Sequence, residues 1–112
     1  MTLVQLFQKS VAACSSLPAW IVEFQVSESD LRRHTFDKSY LDFLDEQITL
    51  SPRGPEWTQR LIQRKESLAR HCDKELVVCS LGHGSDIATI EIDPATENVV
   101  YWEIYQDIKI QA

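Results

Sequence analysis

At Glu75 the spacing of apolar residues in this 112-residue chain changes from about 3.6 to 2, which constrains its fold more than any other feature. Side chains that recur every 3.6 residues share one stripe of a helix, whereas those that recur every second residue share one face of a strand. A chain that runs through the first period and then the second lays down helices before strands, which is α+β rather than alternating α/β. The expected architecture is a single domain over residues 1–112, with N-terminal helices packed on a C-terminal antiparallel meander of three to four strands.

The helical half divides at its punctuation. Thr2 can cap a helix whose apolar face is Leu3, Leu6, Phe7, Val11 and Cys14, and Pro18 stops it or turns it just before. The aromatic and β-branched run Trp20–Val26 fits either a short strand or an extended connector. Ser27 with Asp30, and then Asp37, are two further helix starts. Beyond Asp37, residues Tyr40, Leu41, Leu44 and Ile48 line one helical face with Phe43 beside it, and Asp42, Asp45 and Glu46 project from the other side. Ser51-Pro52-Arg53-Gly54-Pro55 breaks the chain, and Pro55 can open a helix to about Cys72 with Trp57, Leu61, Leu68 and Cys72 as its stripe.

Three strands are expected after Glu75, at Leu76–Leu81, Asp86–Ile92 and Val99–Tyr105. Gly82-His83-Gly84-Ser85 and the stretch from Asp93 to Asn98 are their turns, short enough to make neighbours antiparallel. Ile108 and Ile110 can add a short edge strand guarded by Lys109.

Composition narrows the function. With 44% hydrophobic and 25% charged residues the chain has the makeup of an ordinary globular domain. The longest uncharged stretch, Ser10 to Val22, is too short to span a bilayer and contains Pro18. No basic region precedes the first apolar residues, so the N-terminus does not read as a signal peptide. Cys14, Cys72 and Cys79 are odd in number and at no framework spacing, which fits reduced thiols and a cytoplasmic protein. A net charge of −6 argues against nucleic-acid binding, since phosphates would be repelled.

That charge is unevenly placed. Ser51 to Lys74 holds six bases and three acids, a local balance of +3 that leaves −9 for the rest. Ser85 to Asp107 holds six acids and no base, so the strand region projects a field of one sign that steers basic partners. Alternation places Tyr101, Glu103 and Tyr105 on one face of the last strand and Trp102 and Ile104 on the other, so the Tyr-Glu-Tyr face is the surface candidate and Trp102 belongs to the core. The expected contact residues are Asp86, Glu91, Asp93, Tyr101, Glu103, Tyr105 and Asp107.

No catalytic, metal or cofactor signature emerges. His71, Cys72, Cys79 and His83 offer four donors but lack the tight paired-cysteine knuckle of a structural zinc site. His83, Ser85 and Asp86 are too close along the chain for triad geometry, and the glycine turn around His83 lacks the lysine and helix of a phosphate-binding loop. Asp42, Asp45 and Glu46 read as solvated charges, and Arg60, Arg64 and Lys65 are diluted by Glu56 and Glu66.

The segment Leu81-Gly82-His83-Gly84-Ser85-Asp86-Ile87-Ala88-Thr89-Ile90-Glu91-Ile92-Asp93, followed by Asn98-Val99-Val100-Tyr101-Trp102, resembles the C-terminal pattern of the SUKH superfamily. Ser27-Glu28-Ser29-Asp30-Leu31 and Ser39-Tyr40-Leu41-Asp42-Phe43-Leu44 are similar to that family's helix and its "Tyr-x-x-Phe-Leu" segment. The chain departs from the pattern in lacking Leu-Pro before Ser39 and Asn-Gly after the Phe-Leu segment, and in being short. The resemblance implies a mixed α+β domain and a bacterial immunity protein that sequesters a toxin, often a nuclease with a basic cleft. The expected function is therefore a non-enzymatic module that occludes a basic toxin effector domain. The alternatives are a small homo-oligomeric adaptor, or an enzyme or zinc protein using His71, Cys72, Cys79 and His83.

Overall fold

In the computed structural model, which describes residues 1–106, Thr2 opens helix α1 (Leu3–Ala13) with a reciprocal cap. Its hydroxyl accepts from the Gln5 amide at 3.1 Å while the Gln5 side chain accepts from the Thr2 amide at 2.8 Å. The expected apolar face is present, with Leu6, Phe7 and Val11 buried. Pro18 then starts a single-turn helix, α2 (Ala19–Val22), so the aromatic run after it begins as helix, which neither expectation for it included. Pro18 N-caps this turn with its φ of −58, and Ile21 is buried, so the turn is held by packing rather than by strand pairing.

Ser27 and Asp30 cap each other across one 3-10 turn, Glu28–Asp30, instead of launching a longer helix. The chain continues directly into β1 (Leu31–Thr35), a strand the sequence pattern does not signal. Only Leu31 of its five residues is buried, so no apolar alternation marks it. Next come α3 (Lys38–Leu50), α4 (Pro55–Arg70), β2 (Glu75–His83), β3 (Asp86–Asp93) and β4 (Asn98–Gln106). The four strands form one antiparallel sheet in the order β1-β2-β3-β4. The fold is thus α+β as expected, with the fourth strand supplied by residues 31–35. Asp107, Ile108, Lys109 and Ile110 lie outside the described residues.

The described chain gathers into two compact units, Met1–His34 with Leu76–Gln106, and Thr35–Glu75. In the first, α1 and α2 lie against one face of the sheet. Leu6, Phe7, Val11, Leu17 and Ile21 meet Val77, Cys79 and Leu81 of β2 and Ala88, Ile90 and Ile92 of β3, with Trp102 and Ile104 of β4 packed beside them. A β-bulge lets β4 keep this face: Glu91 pairs with Tyr101 and Ile92 with Val99, so Val100 is the extra residue and Val99 joins the core. Ser10 of α1 donates to the Glu97 carbonyl at 2.8 Å, and Lys9 pairs with the Glu97 carboxylate, which ties the helix to the β3–β4 turn.

The second unit is an antiparallel pair of helices. Asp37 caps α3 by accepting from the Ser39 amide at 3.0 Å, and Pro55 occupies the first turn of α4. Leu44, Leu61 and Leu68 are its buried leucines, and the Asp73 amide donates to the Phe36 carbonyl at 2.8 Å, closing the ends of the unit. Helix α4 stops at Arg70, so Cys72 falls in the turn beyond it, half-buried rather than on the helical stripe. Among the described residues no helix is long and apolar enough to cross a membrane.

Two measurements check this account. Ile90→Ala, in the fully buried centre of β3, should lower the unfolding free energy by about 2–5 kcal/mol in urea titration. The hydrogen bond from the Ser39 hydroxyl, and then the Tyr40 amide, hold the Asp37 carboxyl below its ordinary value of 3.8. Its stabilisation is therefore complete above 3.8 and is lost as pH falls through the lower folded value. The stability difference between wild type and Asp37→Asn should shrink on acidification through this range, while a constant difference would contradict it.

Candidate functional site

The register of the sheet decides which of the expected contact residues meet. On the face opposite α1, Glu91 lies across from Tyr101, Thr89 from Glu103, and Ile87 from Tyr105. On the other side of β3, Glu91 lies across from Val78 and Thr89 from Ser80. Directly opposed residues of antiparallel strands share a face, so Glu91, Tyr101, Glu103 and Tyr105 form one carboxylate–phenol group. Within it the Tyr101 hydroxyl donates to Glu103 Oε2 at 2.7 Å, a charge-assisted bond along the strand.

This face differs from the expected open surface. Leu76, Val78 and Glu91 on it are buried, Glu91 completely, and Tyr101, Glu103 and Tyr105 keep only part of their surface. Glu91, Tyr101, Glu103 and Tyr105 all take part in interactions within the protein. Glu91 is thus corrected from a contact residue to an interior carboxylate, where an ion persists only with compensating partners. Its ladder partners are buried Val78 on β2 and half-buried Tyr101 on β4, and the residues on either side of it, Ile90 and Ile92, are fully buried. The sequence carried a signal for this, because Leu76-Val77-Val78-Cys79 is a continuous apolar run of the kind found where a strand has no solvent side.

Asp93 is also corrected. It is 8% exposed, and its Oδ1 accepts from the Ala95 amide at 2.9 Å while its carbonyl accepts from the Glu97 amide at 2.8 Å. Those bonds shape the turn Pro94–Glu97, in which Glu97 takes a φ of 59, so the carboxylate builds the hairpin rather than facing a partner. Asp86 is half-exposed beside the two-residue turn Gly84–Ser85, where Gly84 adopts a φ of 62 that favours glycine. Asp86, Tyr101, Glu103 and Tyr105 are therefore the expected contacts that retain surface, and Asp107 lies outside the described residues.

The nucleophile and metal donors are dispersed. Cys79 is buried in the core, and burial pushes its thiol up to about 12. His83 is four residues farther along β2, about 13 Å at strand rise, and stacks on Trp20 with ring centroids 4.8 Å apart. Partial burial, and then the neighbouring Asp73, also raise the Cys72 thiol. No group of three His, Cys, Asp or Glu side chains among the described residues is placed to hold a metal ion. His83 faces Asp86 as its ladder partner across the β2–β3 hairpin while its ring stacks on Trp20, so their adjacency in sequence serves the turn rather than a triad.

Three bases in and just before α4 lie against aromatic rings. Arg53 and Arg60 lie over the Trp57 ring at 4.6 and 4.0 Å, and Arg64 lies over Phe36 while its Nε donates to the Tyr40 hydroxyl at 3.3 Å. Spacing of three residues between Trp57 and Arg60 hinted at this contact, whereas the Phe36 and Tyr40 contacts with Arg64 depend on the helix pairing. Two exposed apolar side chains on α3, Phe43 and Leu50, were not among the expected contacts.

Comparison with protein-family models, curated proteins and solved structures finds no match to this chain. Its chemistry is read from its own residues. The thiol assignment predicts that, in the native protein at about pH 8, an alkylating reagent leaves Cys79 unmodified and reaches it only in denaturant. Peptide mass spectrometry reads this directly, and native labelling of Cys79 as fast as Cys14 would contradict it.

Proposed function

We propose that this chain is a protein-binding module that neutralises a basic protein in the cytoplasm. Its mode of action would be that of a bacterial immunity protein lying over the basic cleft of a cognate toxin, of the kind found in nucleases. The observation that carries this reading is the base-free run Ser85–Gln106, folded as hairpin β3–β4 with Tyr101, Glu103 and Tyr105 in a row on the last strand of the sheet.

The roles follow from charge and exposure. A one-sign field raises the rate at which a basic partner arrives, and the aromatic rings hold it once water is expelled. Tyr101 fixes the Glu103 carboxylate in place, so less side-chain freedom is lost when a guanidinium or ammonium docks on it. Asp86 adds charge at the hairpin end, while Asp93 serves by shaping the opposite turn. The SUKH resemblance points to the same class of activity, and steric occlusion of the partner's cleft requires no chemistry from this chain.

The test is affinity capture from the native cells with elution by a salt gradient, followed by binding kinetics with the protein recovered. A stoichiometric basic partner is expected, with association slowing as salt rises and Glu103→Lys or Asp86→Lys weakening binding by roughly tenfold or more. Recovery of the chain alone, or bound only to itself, would replace this reading with the homo-oligomeric adaptor.

A further inference from the structure

We infer that the outward flank of α3 is a docking surface for a basic amphipathic helix, an inference that rests on the reading above that the partner is a basic protein. Phe43 is 49% exposed and Leu50 is 64% exposed. They are seven residues apart, two helical turns, so at 100° per residue they fall on one line about 20° apart around the axis. The Tyr40 ring backs this line, its centroid 6.0 Å from that of Phe43. A lone exposed apolar residue is ordinary, but two in register on one helix form a stripe that remains in water in the isolated chain.

The charge around the stripe selects its occupant. Glu46 lies between Phe43 and Leu50 along the helix, Asp42 adjoins Phe43, and both carboxylates are exposed. Asp45, about 160° round the axis from Phe43, is already paired with Lys65. From Ser39 to Pro52 there is no base at all. The negative end of the α3 dipole falls in the same place, because no basic residue occupies its last turn and Leu50 precedes the left-handed cap at Ser51. The next base, Arg53, is turned onto Trp57. Helix α4 is arranged the other way, with Glu56 in its first turn and Arg70 in its last.

Carboxylates and a carbonyl terminus beside an apolar line thus fit a partner that brings cations and apolar side chains together. A helix with Leu on one face and Lys or Arg flanking it does this, as in other helix-on-surface recognition. A second copy of the same flank would place acid against acid, and an anionic lipid surface would be repelled by the same groups.

The probe is a synthetic Leu/Lys amphipathic helical peptide, with a Leu/Glu peptide of the same pattern as control, titrated into the full chain at low salt and followed by amide NMR shifts. Shifts are expected along Asp42–Ser51 with the Leu/Lys peptide only. Phe43→Ser, Leu50→Ser and Glu46→Lys, all at exposed positions, should each weaken it by about tenfold without changing the circular dichroism spectrum. Shifts confined to the Tyr101–Tyr105 row would overturn the α3 surface and leave the basic-partner reading standing. An equal response to both peptides, or unchanged affinity in the three variants, would also overturn the surface. No response to either peptide would overturn the α3 surface, while the basic-partner reading is decided separately by the affinity capture above.

Discussion

The structure depends on the double-sided burial of β2. Leu76, Val77, Val78 and Cys79 are four consecutive buried residues, and consecutive side chains of a strand point to opposite faces. Water is therefore excluded from both sides of the sheet at that point. Val77 and Cys79 belong to the core formed with α1 and α2, while Leu76 and Val78 set the character of the other face. At roughly 25 cal/mol per Å2 of apolar surface, each such side chain contributes about 1.5–3 kcal/mol, which makes this short segment one of the strongest local reasons to fold.

That constraint also determines what the acidic strands can do. Acids on β3 and β4 lie at different distances from the buried segment Leu76–Cys79 of β2, and that distance sorts them. Glu91, opposite Val78, is interior; Glu103, one strand farther out, is half-exposed and held by Tyr101; Asp86 sits at the hairpin end. Net charge sums all three equally, but only the last two retain contact with solvent. A similar sorting acts on the bases. Arg53, Arg60 and Arg64 lie against Trp57, Phe36 and Tyr40, so a local balance of +3 does not become an open cationic patch. On α3, Asp42 and Glu46 remain directed at solvent, whereas Asp45 is paired with Lys65.

Local chemistry was legible where a few neighbouring residues decide the outcome. Thr2 with Gln5, Asp37 with Ser39, and Pro55 each act at one helix start, and each does so as its sequence context implies. The three strands after Glu75 were legible because apolar periodicity and turn residues agree there. β1 was not, because Leu31–Thr35 has one buried residue and becomes a strand only by bonding to β2, some forty residues away. Trp20 was not either, since a single helical turn after Pro18 has too few residues to establish a period. Within the candidate site, the alternation that puts Tyr101, Glu103 and Tyr105 together was readable, and the burial of Glu91 was not read, though the run Leu76–Cys79 implied it.

The amino-acid sequence by itself determined the α+β class, the helix starts, the hairpin turns and the separation of acidic strands from a basic helix. These depend on periodicity, capping and composition, which act over a few residues or over the whole chain without regard to contacts. Tertiary structure alone decided that β1 completes the sheet, that Glu91 and Asp93 are structural, that Cys79 lies in the core while His83 stacks on Trp20, and that Phe43 and Leu50 face water. Those outcomes depend on which distant segments share a face, and burial is a property of that arrangement rather than of any residue taken singly.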